Sequence, residues 1–465
     1  MEIISYLVYL VASVLFIFGI KKSGSPKTAR QGNMLASVGM LLAIVITLFD
    51  HRVITFEYII IGLIIGSIIG WLFAVKVPMT GMPQMVGLLN GFGGGASTLV
   101  ALAEYYKILN PIHGEEFQVS TLITIALSLL IGGVTFTGSM IAFGKLQGWV
   151  TGKVVKYPGQ NAINVILILA VIVGSVYIVM NPANSEMVLA ITFISLVLGV
   201  LLVLPIGGAD MPVAISLLNS YSGLAGSTTG FVLSNNMLII AGALVGASGI
   251  ILTLIMCKGM NRSLMNVLLG GWDNSGSSAS AGGTASPKGD VKSVDAQEAA
   301  MMFDSAQNVV IIPGYGMAVA QAQHAVRDLT NILEKRNINV RFAIHPVAGR
   351  MPGHMNVLLA EAQVSYDKLF ALEDINDDFN NVDVAFIVGA NDVVNPAARH
   401  DKSSPIFGMP ILNADYAKTV IINKRSMNAG YAGIDNELFF YPNALMYFGD
   451  AKEAINKLVN EIKEL

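Results

Sequence analysis

Nine long apolar runs occupy the N-terminal half of the chain. A helix that spans a membrane needs about 20 predominantly apolar residues. The runs cover residues 2–20, 34–50, 54–75, 83–106, 118–143, 162–180, 186–204, 212–233 and 235–257. A hydrophobic content of 54% and a charged content of only 13% are also typical of membrane proteins. We therefore predict a multi-pass α-helical membrane domain with about nine spans.

The basic residues of the loops predict the orientation of these spans. With the N-terminus outside, the outer loops contain two basic residues, Arg52 and Lys107, and the cytoplasmic loops contain ten. The ten are Lys21, Lys22, Lys27, Arg30, Lys76, Lys145, Lys153, Lys156, Lys258 and Arg262. Because positive charge concentrates in cytoplasmic loops, we predict an outside N-terminus. Nine spans then place the C-terminal part of the chain in the cytoplasm.

A change of composition divides the chain into parts. Residues 1–270 contain 12 of the 28 Lys and Arg residues but only 8 of the 31 Asp and Glu residues. The following stretch, GGWDNSGSSASAGGTASPKGD, is rich in Gly, Ser and Ala and cannot bury a core. We predict a transmembrane domain over 1–265, a flexible linker over 266–292 and a cytoplasmic domain over 293–465. With a single cysteine, no cysteine zinc site is possible, and no metal site is predicted.

Strand and helix patterns alternate after the linker. Strands are predicted at 308–313, 340–347, 382–390, 419–424 and 444–449. Helices are predicted after a turn in GYGMAVAQAQHAVRDLTNILEKRN, and at 354–362, 366–375 and 451–464. This alternation indicates an α/β Rossmann-like domain with a parallel sheet.

Two of the apolar runs share a motif at an offset of 129 residues. Met-Pro at 82–83 and at 211–212 precedes Leu-Leu-Asn, which ends at Asn90 and Asn219. Seven residues of helix place each asparagine about 10 Å into the membrane. Each is either an interhelical hydrogen-bonding residue or part of a polar path for protons. Asp210 either caps the second of these helices or forms a proton entrance.

A glycine turn and a basic turn predict the nucleotide. Gly314, Gly316 and Val319 follow the first strand as G-x-G-x-x-V, a pattern that lets a backbone approach a pyrophosphate closely. An NAD site would place an acidic residue at the end of the next strand, but His345 stands there. The later Lys424–Ser426 turn offers two cations and a hydroxyl, which suit a 2′-phosphate. The sequence thus favours NADP(H) over NAD(H).

Five ordered motifs span both halves of the chain: GGADMP with LLNSYSG, GYGMAVAQAQ, VAGRMPGHMNVLLAEA, GANDVVNPAA and NKRSMNAGYAG. Together they resemble the family of beta subunits of the proton-translocating NAD(P) transhydrogenase. The resemblance covers nearly the whole chain. It implies that the C-terminal domain binds NADP(H), that the helices are part of a larger membrane domain, and that the chain lies in a bacterial inner membrane.

The resemblance also implies the residues of the sites. In addition to Gly314, Gly316 and Val319 of the glycine pattern, those expected at NADP(H) are Tyr315, Val347, Ala348, Gly349, Arg350, Met351, Pro352, Gly389, Ala390, Asn391, Asp392, Val393, Gly408, Met409, Lys424, Arg425, Ser426, Met427, Asn428, Ala429, Gly430, Tyr431, Asp450 and Ala451. Asp392 matches an acidic residue that couples nucleotide redox state to protonation. Asn219 matches an asparagine of the proton path. Asn90 stands where some members have a proton-carrying histidine, which here is expected on a partner subunit.

The implied reaction is NADH + NADP⁺ ⇌ NAD⁺ + NADPH, coupled to inward proton movement. An alpha subunit would bring the NAD(H) domain and further membrane helices, in a dimer of protomers. This chain alone would bind NADP(H) without completing hydride transfer, and no nucleic-acid partner is expected. Composition alone also permits a transporter or channel that is regulated by a cytosolic NADP(H)-sensing domain.

Overall fold

The computed structural model of the chain describes residues 2–49, 56–110, 118–152, 154–268, 291–404, 406–430 and 433–465. Most of the predicted linker and Tyr431 lie outside these residues. The chain forms two compact units, the first built from long helices and the second from a sheet with shorter helices.

Each of the nine apolar runs forms a helix. They are α1 (Glu2–Ser23), α2 (Pro26–Leu48), α3 (Glu57–Lys76), α4 (Met82–Leu109), α5 (Val119–Gln147), α6 (Gln160–Met180), α7 (Ser185–Val203), α8 (Met211–Val232) and α9 (Asn236–Gly259). Within the described ranges, eight helices are long and apolar enough to cross a membrane, and α8 is not among them. Its Ser, Thr, Gly and Asn residues lower its hydropathy. The membrane character is therefore confirmed for eight helices, and a ninth span stays a prediction.

Glycines let neighbouring helices of the first unit pack backbone to backbone. A Cβ on Gly94 of α4 would lie 2.7 Å from the carbonyl oxygen of Gly132 of α5. A Cβ on Gly223 of α8 would lie 2.4 Å from the nitrogen of Gly246 of α9. Ser220 Oγ donates to the Gly246 carbonyl at 2.7 Å across the same pair of helices. Because lipid provides no hydrophobic drive between helices, this close packing and bonding hold them together.

The second unit contains a parallel sheet of six strands in the order β3-β2-β1-β4-β5-β6. The strands are β1 (Asn308–Pro313), β2 (Asn339–Ile344), β3 (Leu369–Ala371), β4 (Val384–Val388), β5 (Thr419–Lys424) and β6 (Ala444–Phe448). Every residue of β4 is buried, as expected for a parallel strand that is covered on both faces. This order is that of dinucleotide-binding Rossmann folds and puts the topological switch point between β1 and β4.

Shorter helices and one added bridge complete this unit. The helices are α10 (Leu264–Leu268), α11 (Ala296–Asp304), α12 (Tyr315–Val319), α13 (Gln323–Lys335), α14 (His354–Glu361), α15 (Leu372–Ile375), α16 (Ala397–His400) and α17 (Ala451–Glu464). The segment before α11 pairs with β6, where Met446 N–H donates to the Lys292 carbonyl at 2.8 Å. This pairing covers an edge that would otherwise be open to other chains.

Two helix predictions in this unit are wrong. The helix predicted after the glycine turn is broken into α12 and α13, because Gln321 adopts a left-handed conformation with φ +49°. Residues 366–375, predicted as one helix, form a 3₁₀ turn, the short strand β3 and α15. The sequence pattern failed here because pairing with β2 decides the conformation of β3.

Candidate functional site

Two glycine turns meet at the carboxyl ends of β1 and β4. Gly314 N–H donates to the Val388 carbonyl at 2.8 Å, and Gly316 N–H donates to the Gly389 carbonyl at 2.9 Å. A Cβ on Gly314 would lie 2.4 Å from the Gly389 oxygen, and one on Gly316 would lie 2.7 Å from Gly389 Cα. Gly389 itself has a φ of +64°. The glycines therefore permit loop-to-loop contact, a role the sequence pattern alone did not predict.

The last residue of the G-x-G-x-x-V pattern is exposed and does not pack against the sheet. Val319 ends α12 and is 47% exposed, so it does not serve as a helix–strand packing residue. Tyr315 begins the same five-residue helix and is half-buried. The turn thus presents Tyr315, rather than a long helix, beside the switch point.

Lys424 turns inward from the end of β5. Its Nζ donates to Asn391 Oδ1 at 3.2 Å and to the Asn428 carbonyl at 2.8 Å. The same nitrogen lies 4.7 Å from the centre of the Phe439 ring. Burial lowers the pKa of Lys424, and the nearby Asp392 charge opposes this shift. Lys424 therefore ties the loop after β5 to the loop after β4.

Asp392 lies in this junction of loops. Its Oδ1 accepts a hydrogen bond of 3.0 Å from Asn391 Nδ2. A Cβ on Gly430 would lie 2.6 Å from each of those two atoms. Ala390 and Val393 are buried on either side of the pair. The predicted segments Gly389–Val393 and Lys424–Gly430 are therefore brought together.

The rest of the turn after β5 faces outward. Arg425 Nε lies 3.7 Å from Asp450 Oδ2, and 60% of the arginine side chain is exposed. Asp450 caps α17 by accepting from Lys452 N–H at 3.1 Å, and Ala451 begins that helix. The exposed residues of the turn are Arg425, Ser426, Met427, Asn428 and Ala429. This turn leaves a guanidinium and a hydroxyl accessible to a ligand.

His345 links two other predicted segments. Its Nδ1 accepts from Val347 N–H at 3.2 Å, so Nε2 carries the proton and donates to the Pro410 carbonyl at 2.7 Å. Burial lowers the pKa of His345 to about 4. The neutral ring thereby joins the Val347–Pro352 loop to the Gly408–Met409 turn. Ala348, Met351 and Met409 are buried in these segments, and Gly408 has a φ of +75°.

Arg350 is held by two aromatic rings. Its guanidinium carbon lies 4.3 Å from the centre of the Tyr315 ring. Its backbone N–H donates to His354 Nδ1 at 3.0 Å. The rings of Tyr315 and His354 are 6.2 Å apart between centres. Sequence reasoning missed His354, although a histidine directly after Gly353 in the same motif was a usable signal.

In the helical unit, one of the twin asparagines bridges two helices. Asn90 is buried in α4, and its Nδ2 donates to the Ile215 carbonyl of α8 over a long 3.4 Å. Gly93 reaches the same helix, since its Cβ would lie 2.5 Å from Ser222 Oγ. Asn219 lies one turn beyond Ile215 and is half-buried. The structure thus brings Asn90 to the helix that carries Asn219.

Asp210 does not cap a helix with its side chain, and Lys145 does not lie in a loop. Asp210 occupies the N-cap of α8, but its side chain accepts no capping hydrogen bond from that helix. Lys145, expected in a loop, lies within α5 and is buried. Its Nζ donates to the Leu204 and Ile206 carbonyls at 2.5 and 2.8 Å.

Within the described parts of the chain, no group of His, Cys, Asp and Glu is arranged to hold a metal.

The helices and the sheet define a multi-pass membrane protein that carries a Rossmann-like domain. The family model of the NAD(P) transhydrogenase beta subunit matches residues 5–461. Two proteins named NAD(P) transhydrogenase subunit beta, both from Rhodospirillum rubrum and one assigned to a particular strain, are each 50% identical over 456 residues. That span is 97% of this chain and 97% of each relative. The chain therefore belongs to the NAD(P) transhydrogenase beta subunit family, as its motifs indicated.

Proposed function

We propose that this chain is the NADP(H)-binding, proton-conducting subunit of a transhydrogenase that works with an alpha subunit. The reaction is NADH + NADP⁺ ⇌ NAD⁺ + NADPH, coupled to inward proton movement across a bacterial inner membrane. In this proposal, residues 1–265 conduct protons, residues 266–292 are a linker and residues 293–465 bind NADP(H). The N-terminus lies outside and the nucleotide domain lies in the cytoplasm.

The meeting of three loops at the switch point carries this proposal. Ligands of open α/β sheets bind outside the carboxyl ends of the strands, where the strand order reverses. Here the loops after β1, β4 and β5 are joined there by the Gly316–Gly389 contact and by Lys424. The exposed guanidinium of Arg425 fits a phosphate of a dinucleotide, whereas the N–H groups of Gly314, Gly316 and Gly389 already bond neighbouring carbonyls. The nucleotide supplies the hydride chemistry, and the chain supplies its position.

Two features support NADP(H) over NAD(H). The end of β2 carries His345, which is buried and bonded to Val347 and Pro410, so it offers no carboxylate to a ribose 2′-hydroxyl. Arg425 and Ser426 are exposed at the end of β5. A guanidinium and a hydroxyl are suited to a phosphate because the former gives bidentate, charge-assisted hydrogen bonds.

Coupling to protons is assigned to two places. Asp392 lies where the loop after β4 meets the loop after β5, so a change in the bound nucleotide would directly alter the surroundings of its carboxylate. Asn90, Asn219 and Asp210 lie on or beside α8 in the helical unit. The coupling would come from one structural element with two conformations, whose equilibrium is shifted both by the nucleotide site and by the proton site.

Reconstitution tests this function. The chain would be co-expressed with an alpha subunit, placed in sealed vesicles, and assayed for hydride transfer and proton uptake together. We expect both activities, and we expect Asp392→Asn to lower the number of protons moved per hydride. Hydride transfer without proton movement in the wild type would contradict the membrane role. NADP(H)-dependent ion flux without hydride transfer would instead favour a regulated channel.

A further inference from the structure

His354 lies beneath the loop Val347–Pro352 and is wholly buried at the start of α14. Gly353, before it, has a φ of +68°, and the N-terminus of α14 has no side-chain cap. Because no side-chain cap fixes the start of α14, this histidine is held by packing and by the contacts of its ring.

The ring nitrogens of His354 have different roles. Nδ1 accepts the Arg350 N–H at 3.0 Å, so in the neutral ring the proton is on Nε2. Among the described residues Nε2 has no hydrogen-bond partner, although it is buried. A buried donor without an acceptor is costly and unusual. Of the two ring nitrogens, Nδ1 is therefore the one that bonds the loop.

The loop crosses closely over this histidine. Gly349 has a φ of +114°, and a Cβ there would lie 2.5 Å from His354 Cβ. The His354 ring also packs toward Tyr315, whose ring carries the guanidinium of Arg350. His354 thus touches the loop after β1 through Tyr315 and the loop after β2 through the Arg350 backbone.

Protonation of His354 would break this arrangement. A proton on Nδ1 would face the Arg350 N–H, so two donors would meet with no acceptor between them. Burial, and then the neighbouring Arg350 charge, lower the pKa of His354 to about 4. The ring is therefore neutral near pH 7 and remains an acceptor.

We propose that His354 is a positioning residue for nucleotide binding: its Nδ1 fixes the Arg350 backbone, and its ring supports Tyr315, so that the Arg350 guanidinium is presented to a phosphate of the dinucleotide. This inference rests on the proposed NADP(H) function of the domain.

The test compares three substitutions in the purified full chain by calorimetric titration with NADPH. His354→Asn keeps an acceptor near the Nδ1 position, His354→Gln places one near Nε2, and His354→Leu removes it while filling the space. Loss of the acceptor leaves a buried backbone N–H unpaired, so we expect His354→Leu to raise the Kd about tenfold or more. His354→Asn should stay within about threefold of the wild type.

A double-mutant cycle separates positioning from simple destabilisation. In an Arg350→Gln background, His354→Leu should raise the Kd by less than about twofold, because the group that it positions is gone. An unchanged effect in that background would overturn the proposal, as would equal Kd values for His354→Leu and the wild type. If His354→Leu does not fold, equal binding by the Asn and Gln variants overturns it, and tighter binding by Asn supports it. A wild-type chain that binds no NADPH would instead overturn the proposed function.

Discussion

At the scale of single residues, two buried histidines predict how stability depends on pH. Burial lowers the pKa of both His345 and His354 to about 4, whereas an unfolded chain has a histidine pKa of about 6.5. The unfolded state therefore binds protons first as the pH falls. Stability is fully present above pH 6.5 and decreases between pH 6.5 and 4, by at most about 3 kcal/mol for each histidine.

Scanning calorimetry of the full chain in detergent at several pH values checks this. The unfolding temperature of the C-terminal unit should fall as the pH is lowered from 7 to 5. The variant His354→Asn, which cannot titrate, should show a shallower slope than the wild type. Equal slopes for the two proteins would mean that the pKa of His354 is the same in the folded and unfolded chains, which contradicts the lowered pKa.

Lys424 and Arg425 are neighbours with different predicted roles. Lys424 bonds Asn391 and Asn428 and so holds two loops together, whereas Arg425 is exposed. We predict that Lys424→Met weakens the binding of NADPH and of NADH to a similar degree. Arg425→Gln should raise the Kd for NADPH about tenfold or more and leave the Kd for NADH nearly unchanged, since a charge-assisted bond to the 2′-phosphate is lost.

The matched control is Arg327→Gln on α13, where the arginine pairs with Asp328 on the surface. Its binding of both nucleotides should equal that of the wild type. Equal losses of NADPH and NADH binding in Arg425→Gln would show that Arg425 does not bind the 2′-phosphate.

At the scale of elements, the contact between the β1 and β4 turns depends on glycine. Gly389 and Gly433 both have a positive φ, at +64° and +70°. An added Cβ meets Gly316 Cα at 2.4 Å in the first case and no atom within 4 Å in the second. We predict that Gly433→Ala costs only the conformational strain, about 1–2 kcal/mol. Gly389→Ala should lower the free energy of unfolding by more than this and should also weaken the binding of NADPH, as measured by calorimetry. Equal effects would contradict this role for the contact.

The α8–α9 pair offers a similar comparison in the helical unit. Gly223 and Gly226 lie on the same helix, but only Gly223 has backbone of α9 against it. We predict that Gly223→Leu lowers the thermal stability of the detergent-solubilised protein, because close approach of the helices is lost. Gly226→Leu should be tolerated. A stable Gly223→Leu variant would mean that α8 and α9 do not pack in this way.

At the scale of the whole molecule, the sequence predicted the elements better than their contacts. The apolar runs predicted the helices because length and hydropathy are local properties, and α8 deviates because Asn219 and its serines are polar. The break at Gln321 was missed since a left-handed residue other than glycine leaves little local signal. Strand β3 was missed because three residues gain their conformation from β2.

The sequence indicated candidate residues for the site but not which of them contact one another. The motifs pointed to Gly314, Gly389 and Lys424, which lie far apart in sequence. Their meeting follows from the strand order, which places β4 between β1 and β5. No local pattern indicated that Lys424 would turn inward, or that His354 would lie under Arg350.

Titration of the purified full chain with NADPH and with NADH tests most directly whether the loops after β1, β4 and β5 form a site that selects a 2′-phosphate. We predict that NADPH binds at least about tenfold more tightly than NADH. Binding of NADH with equal or higher affinity, or binding of neither nucleotide, would contradict it.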